Sequence, residues 1–314
     1  MFEIIRIDGL DSCSYEGEPL VIALGNFDGV HLAHMQIINA ARALAEEISA
    51  ACAVFSFNVH PQLYFGNRSV KLITSEEDRM LLMRRAGVKY VVCADFEALK
   101  DTEPHEFLRL LSERVNCIGV SCGYNFRFGK NGKGDSSDIK SYFRENAAVE
   151  KCFTINGVTV CSSGIRELTE CGDVKSAALL LGRPFFVTGR VTEGRRIGRT
   201  MDFPTANIVI DNDLLAPGKG VYATYTEVDG RVYPSVTNYG TNPTVTDKGE
   251  LVLETNIIGF LGNIYGRRIR VYFLEKIRDQ KKFDSLASLR SAIASDRETA
   301  ERIFSENREK IDFI

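Results

Sequence analysis

A change of texture near residue 183 constrains this chain more than any other feature. Before it, short apolar runs alternate with helical patterns; after it, nearly every apolar run reads as a strand. The chemistry changes with the texture, because all four histidines and all eight cysteines of the 314 residues lie before residue 172. A chain of this length fits two domains at roughly 150 residues each. Acid–base work in the second half must therefore fall to a carboxylate, lysine or tyrosine.

In the first half, "PLVIALGNF", "ACAVFSFN", "VKYVVCADF" and "CIGVSCGYNF" read as buried strands. The runs between them recur at i, i+3 and i+4, as in "HMQIINAARALAEEI" and "EPHEFLRLLSERV". Strand and helix in alternation predict a doubly wound parallel sheet, whose ligands bind beyond the carboxyl ends of the strands. A last helix, "GDVKSAALLLGRP", leads to six strand patterns from Phe185 to about Leu274, several separated by turn signals such as "VDGR". That pattern predicts a small antiparallel barrel, followed by a polar C-terminal helix. The expected domains are 1–182 and 183–314.

The formal net charge of -3, with 39 basic and 42 acidic side chains, gives no general affinity for nucleic acid or membrane surfaces. The N-terminal "MFEIIRIDGLDSC" lacks the basic and apolar regions of a signal peptide, and no run reaches the roughly 20 apolar residues that span a bilayer. The cysteines form no C-x-x-C pair, so we expect buried thiols in a reducing, cytoplasmic setting.

Two stretches carry chemistry. In "GNFDGVHLAH", a glycine-bracketed turn leaves the first apolar strand and a helix begins near His31. Unpaired amides at a helix N-terminus suit a phosphate, and residues three apart share a face, so His31 and His34 can point together at that site. The alternative is two ordinary first-turn residues, with Asp28 capping an Asp-Gly turn. His60 ends a strand before Pro61, and His105 reads as a surface residue.

The second stretch is "VTEGRRIGRTMDFPTANIVI". Gly194 and Gly198 bracket Arg195, Arg196 and Arg199, a cationic loop suited to phosphates but without the Gly-Lys-Ser/Thr ending of a Walker A motif. Thr205 and Asn207 offer the hard oxygen atoms that Mg²⁺ prefers, though Pro-Thr is also an ordinary way into a strand. Glu254 lies in "LVLETNIIGF" among apolar neighbours, where an unpaired carboxylate is costly. It is the leading base for deprotonating an alcohol, the alternative being a structural pair with an arginine. "GVYAT", "NYGTNPTV" and "IRDQKKFDSLASL" carry no chemistry by themselves.

"GNFDGVHLAH" resembles the strand–loop–H-x-G-H–helix signature of the nucleotidylyltransferase superfamily. Together with "FNVHPQ", "GYNFRFGKNGKGD", "SSGIREL" and the second stretch, nearly the whole chain resembles the bacterial bifunctional riboflavin kinase/FMN adenylyltransferases, also called FAD synthetases. The resemblance implies a nucleotidylyltransferase-like domain and a six-stranded kinase barrel. It implies that His31 and His34 stabilise the transferring phosphate, with Gly25, Asn26, Phe27 and Asp28 forming the nucleotide loop. Ser162, Ser163 and Arg166 would hold the triphosphate, and Asn125 and His60 would lie at the flavin. In the kinase, Gly194, Arg195, Gly198 and Arg199 would cover ATP, Thr205 and Asn207 would bind Mg²⁺ and phosphate, and Glu254 would be the base. Riboflavin, FMN, FAD and ATP are the implied small-molecule partners.

Several residues depart from the family pattern. Ala33 stands where the family has glycine, the serine segment is one residue short and lacks its threonine, and Asn125 replaces an aspartate. The family's Glu-Pro-His-Pro reads Asn58-Val59-His60-Pro61, and Asp202 replaces a glycine before Phe203. Three readings follow: a bifunctional enzyme, a riboflavin kinase with a weakened transferase domain, or a flavin carrier without turnover. An intact Pro-Thr-Ala-Asn and Glu254 argue against the carrier, which needs neither a metal site nor a base.

Overall fold

The computed structural model describes residues 2–9, 14–67, 69–192, 205–241 and 251–308. By its contacts the chain divides into two compact units, Met1–Val70 with Glu76–Cys161, and Lys71–Ser75 with Ser162–Ile314.

The first unit is built on β1 (Glu3–Ile7), β2 (Leu20–Leu24), β3 (Ala51–Phe57), β4 (Tyr90–Ala94), β5 (Cys117–Gly123) and β6 (Ala147–Glu150). They form a six-stranded sheet in the order β1-β4-β3-β2-β5-β6, every neighbouring pair parallel. The long α1 (Leu32–Glu47) connects β2 to β3. The short α2 (Pro61–Tyr64) and α3 (Glu76–Arg85) follow β3 in sequence, α4 (Phe96–Leu99) and α5 (Pro104–Arg114) follow β4, and α6 (Ser136–Phe143) follows β5. Of the apolar runs that read as strands, β2 and β4 are buried at every position and β3 and β5 at all but two each. Such strands need cover on both faces, which the crossover helices supply.

Strand order reverses direction around β2: β3 lies on one side of it and β5 on the other. A switch of this kind opens a crevice beyond the carboxyl ends of the two strands. The loops entering that crevice are Gly25–Val30, singled out from the sequence, and the one after Gly123, which carries part of the family resemblance. A hairpin of β7 (Thr154–Ile155) and β8 (Val158–Thr159) closes the unit.

The second unit opens with α7 (Ser162–Glu170) and α8 (Val174–Leu181). Then come β9 (Phe185–Thr192), β10 (Ala206–Val209), β11 (Gly220–Val228), β12 (Arg231–Thr241), β13 (Leu251–Ile257) and β14 (Arg268–Arg278), and finally α9 (Leu286–Glu306). The strands close into a barrel in the order β10-β13-β12-β11-β14-β9, β9 returning to β10. All pairs are antiparallel, so the barrel leaves no open sheet edge.

Alternate residues face alternate sides. One face of β11 and β12 packs Val221, Ala223 and Val236 against Ala300 and Ile303 of α9. The helix is also tied to β14 by a two-pronged ion pair, Arg278 Nε to Asp296 Oδ1 at 3.0 Å and Nη2 to Oδ2 at 2.8 Å. The opposite, inward face carries a chain of fully buried hydroxyls from Thr226 through Ser235, Thr224 and Thr237 to Thr255, with contacts of 2.8, 2.8, 2.8 and 2.9 Å. Barrel interiors are usually filled with apolar side chains; here neighbouring hydroxyls satisfy one another instead.

The structure departs from the sequence reading in small elements. β1, β6 and the hairpin are too short to show periodicity. Cys93, Cys117 and Cys122 are buried as expected, but Cys152 and Cys171 are exposed, each beside the end of a short element. Burial pushes the Cys117 and Cys122 thiols up to about 12.

Candidate active sites

The loop after β2 is held in unusual backbone. Phe27 has φ 51°, Gly29 83° and Val30 40°. Left-handed backbone costs a bulky or β-branched residue on the order of 1–3 kcal/mol, and it persists where surroundings over-determine it. Phe27 and Val30 are both buried, and the Val30 amide donates to the Phe27 carbonyl at 3.1 Å. The loop is thereby wound so that His31 becomes the N-cap of α1.

As N-cap, His31 accepts the His34 amide proton on Nδ1 at 3.2 Å. That contact fixes the tautomer: a neutral His31 carries its proton on Nε2. The His31 and His34 rings stack with centroids 3.6 Å apart and planes 11° from parallel, and Phe27 lies 5.1 Å from His34 on the same side of the loop. The two-histidine face expected from spacing is formed, with Ala33 in the same helical turn.

His60 caps α2 in the same way, its Nδ1 accepting the Gln62 amide at 3.3 Å. Asn58 ties the loop after β3 to that after β4, donating to Asp95 Oδ1 at 3.1 Å and accepting from the Phe96 amide. Asp28 is buried at 2% exposure, whereas Asn26 is exposed. Asn125 is exposed in the loop after β5, and His105 is exposed on α5. Ser162 and Ser163 start α7 in the second unit, where the Arg166 Nε donates to the Lys71 carbonyl at 2.7 Å.

The barrel carries the second cluster. Thr205 immediately precedes β10 and Asn207 is the second residue of that strand. Asn207 stands directly opposite Glu254 on β13, and Glu254 stands opposite Asn238 on β12. Glu254 is half-buried. Its two cross-strand neighbours are neutral amides, and the Asn238 Oδ1 in turn accepts from Gln280 at 2.8 Å. Sequence reading passed over Asn238 and Gln280; the available signal was a pair of amides in runs otherwise fit for strand and turn. Gly194, Arg195, Gly198 and Arg199 lie outside the described residues.

A parallel sheet with a histidine pair at its switch point and a closed barrel with Asn207 and Glu254 in register are together the architecture of a two-domain transferase of phosphate-containing groups. Comparison with known proteins agrees. Residues 14–164 match the FAD synthetase family and residues 181–304 the riboflavin kinase family. The Bacillus subtilis protein named bifunctional riboflavin kinase/FMN adenylyltransferase is 35% identical over 296 residues, covering 92% of this chain and 93% of that protein. The Escherichia coli K12 protein of the same name is 32% identical, covering 96% and 98%. A Streptococcus pneumoniae crystal structure titled a macrolide-efflux protein has a TM-score of 0.86 at 29% identity, covering 95% of this chain and 98% of its own. Among the described residues of this chain, no helix is long and apolar enough to cross a membrane. The chain belongs to the bifunctional riboflavin kinase/FMN adenylyltransferase family.

Proposed function

We propose that the chain phosphorylates riboflavin to FMN on its barrel and adenylylates FMN to FAD at the crevice of its parallel sheet, with functional domains 1–182 and 183–314. The observation that carries the kinase assignment is the register Asn207–Glu254–Asn238 across three strands.

Glu254 accepts the proton of riboflavin's terminal ribityl hydroxyl as that oxygen attacks the γ-phosphorus of ATP, and ADP leaves. Phosphoryl transfer asks the protein mainly for positioning and charge neutralisation. Thr205 and Asn207, with Glu254 opposite Asn207, offer a hard-oxygen donor set that fits Mg²⁺. Thr205 and Asn207 would hold the ion, which supplies neutralisation of the ATP phosphates. Gly194, Arg195, Gly198 and Arg199 are proposed to cover those phosphates.

In adenylyl transfer, an FMN phosphate oxygen attacks the α-phosphorus of ATP and pyrophosphate departs. His31 offers Nε2–H to the phosphate, because its Nδ1 is engaged by the His34 amide. His34, stacked beneath it, adds a second imidazole on the same face, and the pair stabilises charge as it builds. Gly25, Asn26, Phe27 and Asp28 shape the nucleotide loop, the buried Asp28 from behind. Ser162, Ser163 and Arg166 are proposed for the triphosphate, and Asn125 and His60 for the flavin.

The test is chromatography of flavins after incubation with Mg-ATP. Glu254→Gln is expected to abolish FMN formation while FMN-to-FAD conversion stays close to normal. His31→Ala with His34→Ala is expected to do the reverse. Loss of both activities in a folded Glu254→Gln protein would overturn separate sites, and absence of FAD formation in the native protein would restrict the function to the kinase.

A further inference from the structure

Arg79 of α3 has no place in the chemistry above, yet it is a guanidinium buried to 6% exposure. Its Nη2 donates to the Phe57 carbonyl at 3.1 Å and its Nη1 to the Asn26 carbonyl at 3.4 Å. Those carbonyls lie at the carboxyl ends of adjacent parallel strands, Phe57 closing β3 and Asn26 two residues beyond β2. Burial pulls the Arg79 pKa down, opposed first by the nearby charge of Asp28 and then by Glu76. A buried charge is costly, and an apolar side chain would fill the space at lower cost. What the guanidinium adds is a rigid planar fork that reaches two carbonyls at once.

The two carbonyls lead directly to the imidazoles. From Asn26 the wound loop passes through buried Phe27 and Val30 to the His31 cap, and from Phe57 three residues lead to the His60 cap. On the first path Phe27, Asp28, Gly29 and Val30 are all buried, and on the second Asn58 is held by Asp95 and the Phe96 amide although Val59 is exposed, so a shift at the fork reaches the His31/His34 rings most directly. We propose that Arg79 is a positioning residue for adenylyl transfer, clamping the Asn26 and Phe57 carbonyls and so fixing the spacing between the His31/His34 pair and His60. The proposal rests on the assignment of these histidines to FAD formation.

The test measures both activities in the full-length chain, with a thermal melt to report folding of the unit that carries Arg79. Arg79→Met is expected to lower kcat for FMN adenylylation about ten- to a hundredfold, the penalty of a sub-ångström to 1 Å misplacement. KM for ATP should stay within about twofold and FMN formation should be unchanged, in protein whose thermal melt shows both units folded and with kcat referred to the folded fraction. Arg79→Lys, whose single ammonium reaches one carbonyl at a time, should fall between. Near-native FAD formation by folded Arg79→Met overturns the proposal. Should Arg79→Met fail to accumulate as folded protein, native kcat in Arg79→Lys overturns it instead. His31→Ala with His34→Ala is run in parallel: if that variant still makes FAD, the histidine assignment fails and takes the clamp with it. If it is dead while Arg79→Met is native, the clamp alone fails.

Discussion

His31 does two jobs, and they can be separated. Its Nδ1 caps α1, and its Nε2 is the atom proposed to meet a phosphate. Asparagine caps a helix as well as any residue, whereas alanine at such a position costs about 1 kcal/mol. His31→Asn is therefore expected to keep native thermal stability and lose FAD formation, while His31→Ala loses both; thermal melts beside the flavin assay distinguish them. The spacing of His31 and His34 was legible as a shared helix face. The left-handed Phe27 and Val30 that aim them were not, because neither residue type advertises that backbone. Arg79 was equally silent: in "SEEDRMLLMRR" a basic residue reads as surface, and only the packed structure makes it internal.

Among elements, the six barrel strands follow from strand-like runs, several bounded by turn signals, and the α1, α5, α8 and α9 helices from helical patterning. What periodicity cannot supply is register, which depends on partners distant in sequence. The pairing of Asn207 with Glu254 joins residues from two separate strand patterns and became visible only in the closed barrel. The inward hydroxyl chain is another product of register. Thr224 donates to the Ser235 carbonyl at 3.0 Å, so the Ser235 and Thr237 hydroxyls donate towards Thr224, and Thr226 and Thr255 towards them. Replacing Thr224 with valine removes the acceptor on which the chain converges. We expect a loss of about 1–3 kcal/mol, read as a lower denaturant midpoint for kinase activity, and a smaller loss for Thr224→Ser.

For the whole molecule, two chemistries on one chain predict complementation. An equimolar mixture of Glu254→Gln and His31→Ala/His34→Ala proteins is expected to convert riboflavin to FAD, with a lag while FMN accumulates in solution. Neither variant alone should do so, and a mixture that stops at FMN would mean that the second reaction needs its own chain's kinase site. The family relationship makes these paired assays meaningful, since both matched regions are present.

The segment Lys71–Ser75 belongs to the barrel unit although sheet residues precede and follow it. Leu72 forms a parallel bridge with Leu214, its amide bonding to the Asp213 carbonyl at 2.8 Å and its carbonyl to the Leu215 amide at 2.7 Å. No single cut in the polypeptide can therefore excise a complete barrel unit. During synthesis the ribosome releases this short piece some 140 residues before Leu214 emerges, so it must wait, unpartnered in its final role, until the barrel that receives it has been made.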